Sequence, residues 1–249
     1  MGFTKIMRPS CQSALLLIAV LPFAARAQQP FDLQAAIGHG LARQEFAQIT
    51  IPEDAIIVLR RTITIPAEKI VLIRTASSND VLQPDLPGLI TGSGITGGGA
   101  LFRVEYGATL LLANVRLHSG DVTGLPSRTG RCGGAVDVGN LGSLVAQNVE
   151  FKYNRADRGG AICLRVGSSS LSLYAVTFGD QYVTEGAPGG KDVYIEAPTL
   201  PADGTPPYRF LGVSTDSNAL EFLGCPSGID LHPLTLHCTA NGGDSSTTC

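Results

Sequence analysis

The sequence predicts an all-β protein folded as a single-stranded parallel β-helix, with a short helix that caps its N-terminal end. Apolar residues occur in short runs in which they alternate with polar or small residues, and this is the period of a strand rather than of a helix. The 249 residues include 30 glycines and 15 prolines, which indicate many tight turns. A similar segment also recurs along the chain, and such repetition is typical of a solenoid.

Residues 1–27 have the features of a secretory signal peptide. Lys5 and Arg8 precede an apolar run, residues 14–21, that is too short to span a membrane. Ala25-Arg26-Ala27 then places small residues where signal peptidase requires them. We therefore predict cleavage before Gln28, a secreted or cell-surface location, and no membrane span in the mature chain.

The charge balance argues against two classes of partner. The chain has 18 basic and 21 acidic residues and a formal net charge of −3 at pH 7. The signal segment carries three of the basic residues and none of the acidic ones, so the mature chain has a net charge of −6. Nucleic acids and anionic lipids are held by clustered Lys and Arg, and the sequence has no such cluster. We therefore expect no nucleic-acid partner.

The first elements of the mature chain are a helix and several β-branched runs. Asp32 is placed as the N-cap of a short helix that Gly38 and Gly40 are expected to end. This helix would cover strand edges at one end of the stack, which would otherwise be exposed. The first coils are predicted from runs rich in Ile, Val and Thr, at residues 49–51, 56–59, 62–65 and 70–73.

Three repeats of one pattern follow. Each begins with Gly-Gly-Ala, continues into a short strand, and then has a second alternating run; they occupy residues 98–117, 133–151 and 159–178. A weaker fourth start lies at residues 189–195. The matching residues Val115 and Val149 are 34 positions apart, whereas Val149 and Val176 are 27 apart. The extra residues fall in a loop at 119–131, rich in Gly, Ser, Thr and Pro.

Each repeat supplies three short strands with Gly, Ser or Asn at the corners. Asn114 and Asn148 occupy equivalent corners, where Asn tolerates a left-handed backbone. Their stacked amides are expected to hydrogen-bond along the stack, which is a structural role. Gly134 and Gly160 are likewise structural residues at the start of their repeats. One coil cannot bury its apolar face alone, so the coils must stack as parallel sheets.

The predicted β-helix covers residues 28–196, and a Pro-rich irregular C-terminal segment or cap covers residues 197–249, with a final irregular strand or two expected at 209–213 and 220–223. Cys225 and Cys238 enclose a short loop and are the predicted disulfide. Cys132 and Cys163 lie five strand positions out of register, or about 16 Å along the strand. A disulfide requires α-carbons within about 7 Å, so we do not expect these two residues to be bridged unless the geometry of a corner brings them together.

Several of these segments carry a resemblance to known proteins. The segments 133–136, 151–154 and 159–162 look like the GGA-aliphatic and Phe-x-x-Asn repeats of chlamydial polymorphic outer-membrane proteins. More broadly, residues 31–196 resemble the right-handed parallel β-helix, or pectin-lyase-like, superfamily. The Asn of the motif is absent from residues 117–120 and 178–181.

The alternation also predicts which side chains point outward and are available for binding: Arg103, Asp137, Arg165, Asp192 and Tyr194. Enzymes of the resembled superfamily cleave acidic polysaccharides with stacked carboxylates, which hold calcium or act as acid and base. Here a coil that carries Cys163 separates Asp137 from Asp192. We therefore expect a non-catalytic, adhesin-like scaffold for a glycan or an extracellular protein, without metal or cofactor. The alternative is a polysaccharide lyase or glycoside hydrolase, and only this alternative involves calcium.

Overall fold

The computed structural model describes residues 31–42, 44–76, 87–126, 131–165, 167, 170–184, 190–196 and 208–215, and the strand backbone at 220–223, 230–232, 236–239 and 246–248. The predicted signal peptide and Cys225 lie outside these residues, as does the side chain of Cys238. The predicted Cys225–Cys238 disulfide therefore stays a prediction.

The described residues form one helix and a series of short strands. In chain order they are α1 (Leu33–Leu41), β1 (Phe46–Ile51), β2 (Ile56–Val58), β3 (Ile63–Ile65), β4 (Ile70–Thr75), β5 (Gly88–Thr91), β6 (Phe102–Val104), β7 (Thr109–His118), β8 (Val136–Val138), β9 (Ser143–Lys152), β10 (Arg155–Ala156), β11 (Ile162–Leu164), β12 (Ser170–Tyr174), β13 (Thr177–Gly179), β14 (Tyr182–Val183), β15 (Val193–Ile195), β16 (Tyr208–Leu211), β17 (Ser214–Thr215), β18 (Leu220–Leu223), β19 (Asp230–His232), β20 (Leu236–Thr239) and β21 (Ser246–Thr248).

Helix α1 begins where the sequence predicts and ends later. The Asp32 side chain caps it by accepting a 2.9 Å hydrogen bond from the backbone N–H of Ala35. The prediction that Gly38 and Gly40 end the helix is wrong, because α1 continues to Leu41. The second glycine serves packing instead: a β-carbon on Gly40 would lie 2.7 Å from the β-carbon of Ala47.

The strands stack in parallel with matched register. The main sheet contains the path β1-β4-β7-β9-β12-β16-β19. Leu144 of β9 lies opposite Leu110 of β7 on one side and Leu171 of β12 on the other. A second sheet has the order β15-β11-β8-β6-β3. The all-β class is thus confirmed, and the stacked parallel sheets are compatible with a parallel β-helix.

The inward side chains of successive repeats form one hydrophobic core. Leu144, Leu171 and Val115 are fully buried, and the rings of Phe151 and Phe178 stack with centroids 5.2 Å apart. Each fully buried Leu, Val or Phe contributes about 1.5–3 kcal/mol relative to an exposed side chain. The core therefore holds neighbouring repeats together through equivalent positions.

The corner residues adopt the left-handed backbone conformation. The φ angles of Asn114, Asn148 and Ala175 are 55°, 51° and 50°. The Asn148 amide donates a 2.8 Å hydrogen bond to the side-chain oxygen of Asn114. This bond runs from one repeat to the next, so the corner adds a polar link between repeats.

The two glycines of each Gly-Gly pair are required for different reasons. Gly133 and Gly159 have φ angles of 68° and 56°, which disfavour residues with a β-carbon. The second glycine leaves no room for a side chain. A β-carbon on Gly134 would lie 2.6 Å from the backbone nitrogen of Arg155, and one on Gly160 would lie 2.5 Å from the carbonyl oxygen of Lys191.

Cys132 and Cys163 form a disulfide, and the prediction that they are not bridged is wrong. Their α-carbons are 5.4 Å apart. The prediction assumed a straight strand between Cys132 and the start of β8. The left-handed Gly133 turns the chain instead, and a β-carbon at this glycine would lie 2.9 Å from the backbone nitrogen of Cys163. Cys132 is thereby brought next to β11.

Parallel stacking continues beyond residue 196, where the sequence predicts an irregular segment to begin. Strand β16 pairs with β12, and Phe210 lies opposite Leu173. Strand β17 pairs with β13 in the same direction. Strands β18, β20 and β21 form a separate three-stranded sheet.

Candidate binding surface

The predicted ladder of outward side chains is only partly assembled in the structure. Arg103 lies opposite Asp137, which lies opposite Cys163, which in turn lies opposite Tyr194. Asp192 is not in this row, because it precedes β15, in which Tyr194 is the residue opposite Cys163. Asp137, Asp192 and Tyr194 are also buried, with 3%, 3% and 6% of their surface exposed.

Two arginines engage the carboxylate of Asp137. Arg165 donates from Nε to Oδ1 at 2.7 Å and from an amino nitrogen to Oδ2 at 2.9 Å. Arg103 lies 3.6 Å from Oδ2. The hydrogen bonds with Asp137 raise the pKa of the Arg165 guanidinium, so Arg165 stays charged. The Asp137 carboxylate is therefore occupied by protein partners.

Tyr194 is covered by a residue from the turn after β10. The Arg158 guanidinium lies 5.1 Å from the centre of the Tyr194 ring and 3.4 Å from the Glu196 carboxylate. Tyr194 packs with Cys132 and Cys163 in a cluster apart from the main core. The alternation thus predicts that Tyr194 points away from the core, but not that Arg158 covers it.

A different group of side chains is accessible at the corner that follows β7, β9 and β13. We call this group the corner surface, and it comprises His118, Asp121, Glu150, Lys152, Tyr153, Arg155, Asp180 and Tyr182. Its backbone turns through Ser119, Tyr153 and Asp180, whose φ angles are 59°, 57° and 51°. Equivalent turns in neighbouring repeats place these side chains beside one another.

Two exposed tyrosines are the principal features of the corner surface. Tyr153 is 50% exposed, and the Lys152 ammonium lies 5.0 Å from its ring centre. Tyr182 is 45% exposed, and the Arg155 guanidinium lies 4.7 Å from its ring centre. Cations held over aromatic rings order both partners. The arrangement therefore presents aromatic surface and hydrogen-bond donors from two neighbouring repeats.

Acidic residues balance the cations of this surface. Lys152 lies 3.7 Å from Asp180, and Arg155 lies 3.9 Å from Asp121. Such exposed pairs contribute only about 0–1 kcal/mol each. A ligand can therefore replace these contacts at little cost.

His118 and Glu150 form a closer pair at the edge of the corner surface. Nε2 of His118 lies 2.6 Å from Oε1 of Glu150, and its ring meets Tyr153 edge-on, with centroids 6.1 Å apart. Burial lowers the pKa of His118 from its ordinary value of 6.5, and this outweighs the opposite effect of Glu150. The neutral imidazole is therefore favoured in the folded protein.

Two buried amides support the corner surface from beneath. The Asn154 amide donates to the carbonyl of Leu117 at 3.1 Å and accepts from the N–H of Gly120 at 2.9 Å. The Gln181 amide makes the same two bonds one repeat later, to Phe151 at 2.6 Å and from the N–H of Asn154 at 3.1 Å. Gln181 thus replaces the Asn that its repeat lacks. In the sequence, the Phe-x-x-Asn motif is therefore the feature that indicates this corner.

Other kinds of site are not evident in the described part of the chain. There, no three His, Cys, Asp or Glu residues come together in a group that could hold a metal ion. In the described ranges, helix α1 does not have the length and apolarity that a membrane-crossing helix requires.

Comparisons of the chain with models of protein families, with curated proteins and with solved structures found no match.

Proposed function

We propose that this protein is a secreted or cell-surface, non-catalytic β-helix scaffold that binds a glycan or an extracellular protein through the corner surface. The main support comes from Tyr153 and Tyr182, two half-exposed tyrosines on neighbouring repeats. The Lys152 ammonium lies over the ring of the first, and the Arg155 guanidinium lies over the ring of the second. Tyr and Arg are the residues that contribute most often to binding hot spots. They combine large apolar area with hydrogen-bonding groups.

The proposed fold is a single-stranded, right-handed parallel β-helix. The matched parallel register of β7, β9 and β12 supports a coil that returns to the same position in each repeat. The right-handed sense is favoured because crossovers between parallel strands of one sheet are right-handed in nearly all proteins. The resemblance to the pectin-lyase-like superfamily and to the GGA-aliphatic repeats points to the same fold.

Secretion is supported by two independent features. The N-terminal 27 residues have the pattern of a signal peptide. The Cys132–Cys163 disulfide also fits an oxidising compartment, where such bonds form and persist.

The absence of catalysis is proposed because of the contacts of Asp137. General acid–base cleavage of a glycoside requires two accessible carboxyl groups at a defined separation. Asp137 is 3% exposed and is bound by Arg165 at two points. We therefore favour binding over the lyase or hydrolase alternative.

The test compares binding by the purified protein and by two variants on an array of glycans and extracellular-matrix proteins. In the first variant, Tyr153→Asn is combined with Tyr182→Ser, since Asn suits the left-handed backbone at position 153. We expect it to lose at least about 10-fold in affinity for the bound probe. The control is Tyr106→Ala, which removes a tyrosine that is 51% exposed elsewhere. Unchanged binding by the first variant, or release of reducing sugar or unsaturated product from polyuronates, would contradict the proposal.

A further inference from the structure

The main sheet has an outer face that differs in charge from the rest of the molecule. We call it the open face and define it by the outward side chains of six strands of the main sheet. These are Phe46, Gln48 and Thr50 of β1, Ile70, Leu72 and Arg74 of β4, Thr109, Leu111 and Ala113 of β7, Ser143, Val145 and Gln147 of β9, Ser170, Ser172 and Tyr174 of β12, and Arg209 and Leu211 of β16. All of them are at least partly exposed.

The outward positions of these six strands include no acidic residue, although acidic residues outnumber basic ones in the chain by 21 to 18. Asp230 of the next strand, β19, lies in register with Arg209 at the edge of the open face. Its strands β7, β9 and β12 contribute no charge of either sign. The outward side chains in the C-terminal halves of β7 and β9 are, by contrast, Arg116, His118, Glu150 and Lys152. The charge depletion is therefore specific to one face and is not a property of the chain.

The open face also exposes apolar side chains. Phe46, Ile70 and Leu211 are 41%, 39% and 56% exposed. Leu72, Leu111 and Val145 lie side by side on β4, β7 and β9 and are partly exposed. A contiguous apolar area without charged residues is typical of the core of an interface rather than of ordinary protein surface.

The size of the open face is sufficient for an interface between two proteins. Strands about 4.8 Å apart make the main-sheet path about 30 Å wide, and five residues of each strand span about 16 Å. The face therefore offers about 500 Å² per copy, so two copies would bury about 1,000 Å², which is near the lower limit for a specific interface. Matched register across β1, β4, β7, β9 and β12 keeps the outward positions aligned.

We infer that the open face associates with the open face of a second copy of this chain. Two acidic molecules repel each other least where neither presents a charge, as at the central strands β7, β9 and β12 of the open face. A face that is uncharged and apolar at its centre is complementary to itself, as a two-fold symmetric interface requires. Sheets pack face to face about 10 Å apart, and the small Ser, Thr and Ala side chains permit that approach. This contact is separate from the corner surface, because it involves none of the same residues.

Val145 is the position at which the inference is tested. Its strand β9 is the fourth of the seven in the main-sheet path, and Val145 is the middle of the three outward residues of that strand. A two-fold axis through the centre of the face therefore brings Val145 close to its own copy. Like charges placed there oppose association, whereas opposite charges on two different chains favour it.

The experiment measures the mass of the purified protein by sedimentation equilibrium between about 1 and 100 µM, the range in which weak dimers form. We expect a dimer that Val145→Lys weakens by about 100-fold. A one-to-one mixture of Val145→Lys and Val145→Asp chains should associate again. The control is Thr177→Lys, which adds the same charge at an exposed position of β13. Thermal unfolding of each variant establishes that it is folded.

Three outcomes would overturn the inference. The first is a wild-type protein that is monomeric at every concentration. The second is a Val145→Lys variant that is folded and dimerises as well as the wild type. The third is a monomeric wild type whose binding to a neutral polysaccharide is abolished by Val145→Lys, since the face would then serve a glycan and not a second copy. The first two results leave the corner-surface proposal unaffected, because that proposal is tested through Tyr153 and Tyr182.

Discussion

Side-chain amides connect successive repeats at two different corners. Asn114 and Asn148 bond to each other, whereas Asn154 and Gln181 bond to the backbone of the preceding repeat. The spacing of the repeats was enough to place Asn114 and Asn148 at corners. The equivalence of Gln181 and Asn154 could not be predicted, because the motif has Asn at this position and the sequence does not show that a Gln side chain bonds to the same backbone groups.

We expect Asn154→Ala to lower the free energy of unfolding by about 3 kcal/mol. The substitution removes two hydrogen bonds and leaves the Gly120 N–H and the Leu117 carbonyl buried without the side chain, at about 1–3 kcal/mol per group. The control Gln147→Ala removes an exposed amide from β9 and should change stability by less than about 0.5 kcal/mol. Equal urea midpoints for the two variants would disprove the role of Asn154.

His118 makes stability depend on pH. Burial lowers its pKa in the folded protein below the value of about 6.5 in the unfolded chain. As the pH falls below that value, the unfolded chain takes up a proton first, so the contribution of His118 to stability is complete above about pH 6.5 and is lost below it. Wild type should therefore lose more stability than His118→Gln between pH 7.5 and 5.5. Parallel losses in urea titrations would contradict the assignment.

The strands were the elements that the sequence predicted best. The runs predicted at 49–51, 56–59, 62–65 and 70–73 correspond to β1, β2, β3 and β4. Alternation predicts such strands because each has one face in the core, and Ile49, Ile57 and Ile63 are indeed buried. The end of α1 was missed because Gly40 is retained for its close approach to Ala47, which depends on tertiary packing.

We expect Gly134 and Gly38 to respond in opposite ways to substitution by alanine. Gly134→Ala should lower the free energy of unfolding by about 3 kcal/mol or more, because the added methyl group meets backbone atoms that cannot move independently. Gly38 lies in α1 with nothing within 4 Å of an added β-carbon. Gly38→Ala should therefore stabilise the protein by up to about 1 kcal/mol. A Gly134→Ala variant whose thermal unfolding matches that of Gly38→Ala would disprove this account.

At the scale of the whole molecule, accessibility was the property hardest to predict. The sequence identified Arg103, Asp137 and Arg165 as outward residues, and the structure brings these three together as an ion-pair cluster. Tyr194 is hidden because Arg158, 36 residues away in the sequence, lies over its ring. Alternation within one strand carries no information about such distant covering groups. The exposure of Tyr153 and Tyr182 could not be predicted for a different reason: Tyr153 lies in a turn and Tyr182 begins a two-residue strand, and neither segment is long enough to show alternation.

The Cys132–Cys163 disulfide should stabilise the molecule as a whole. It closes a loop with a sequence separation of 31 residues, and closing a loop of this length is worth about 3–4 kcal/mol. Reduction with dithiothreitol should lower the thermal midpoint of the wild type. The variant Cys132→Ala/Cys163→Ala should start from the lower midpoint and respond little to the reductant. A midpoint that does not respond in the wild type would show that the bridge contributes no stability.

The unshifted register between β7 and β9 has one more consequence. Val115 and Val149 face each other although their segments are separated by the long 119–131 connection, while Leu144 and Leu171 do so across a shorter one. The longer connection therefore leaves the register of these buried rows unchanged. Gene duplication can therefore lengthen the chain by whole repeats, provided that each new repeat keeps the strand register of its neighbour.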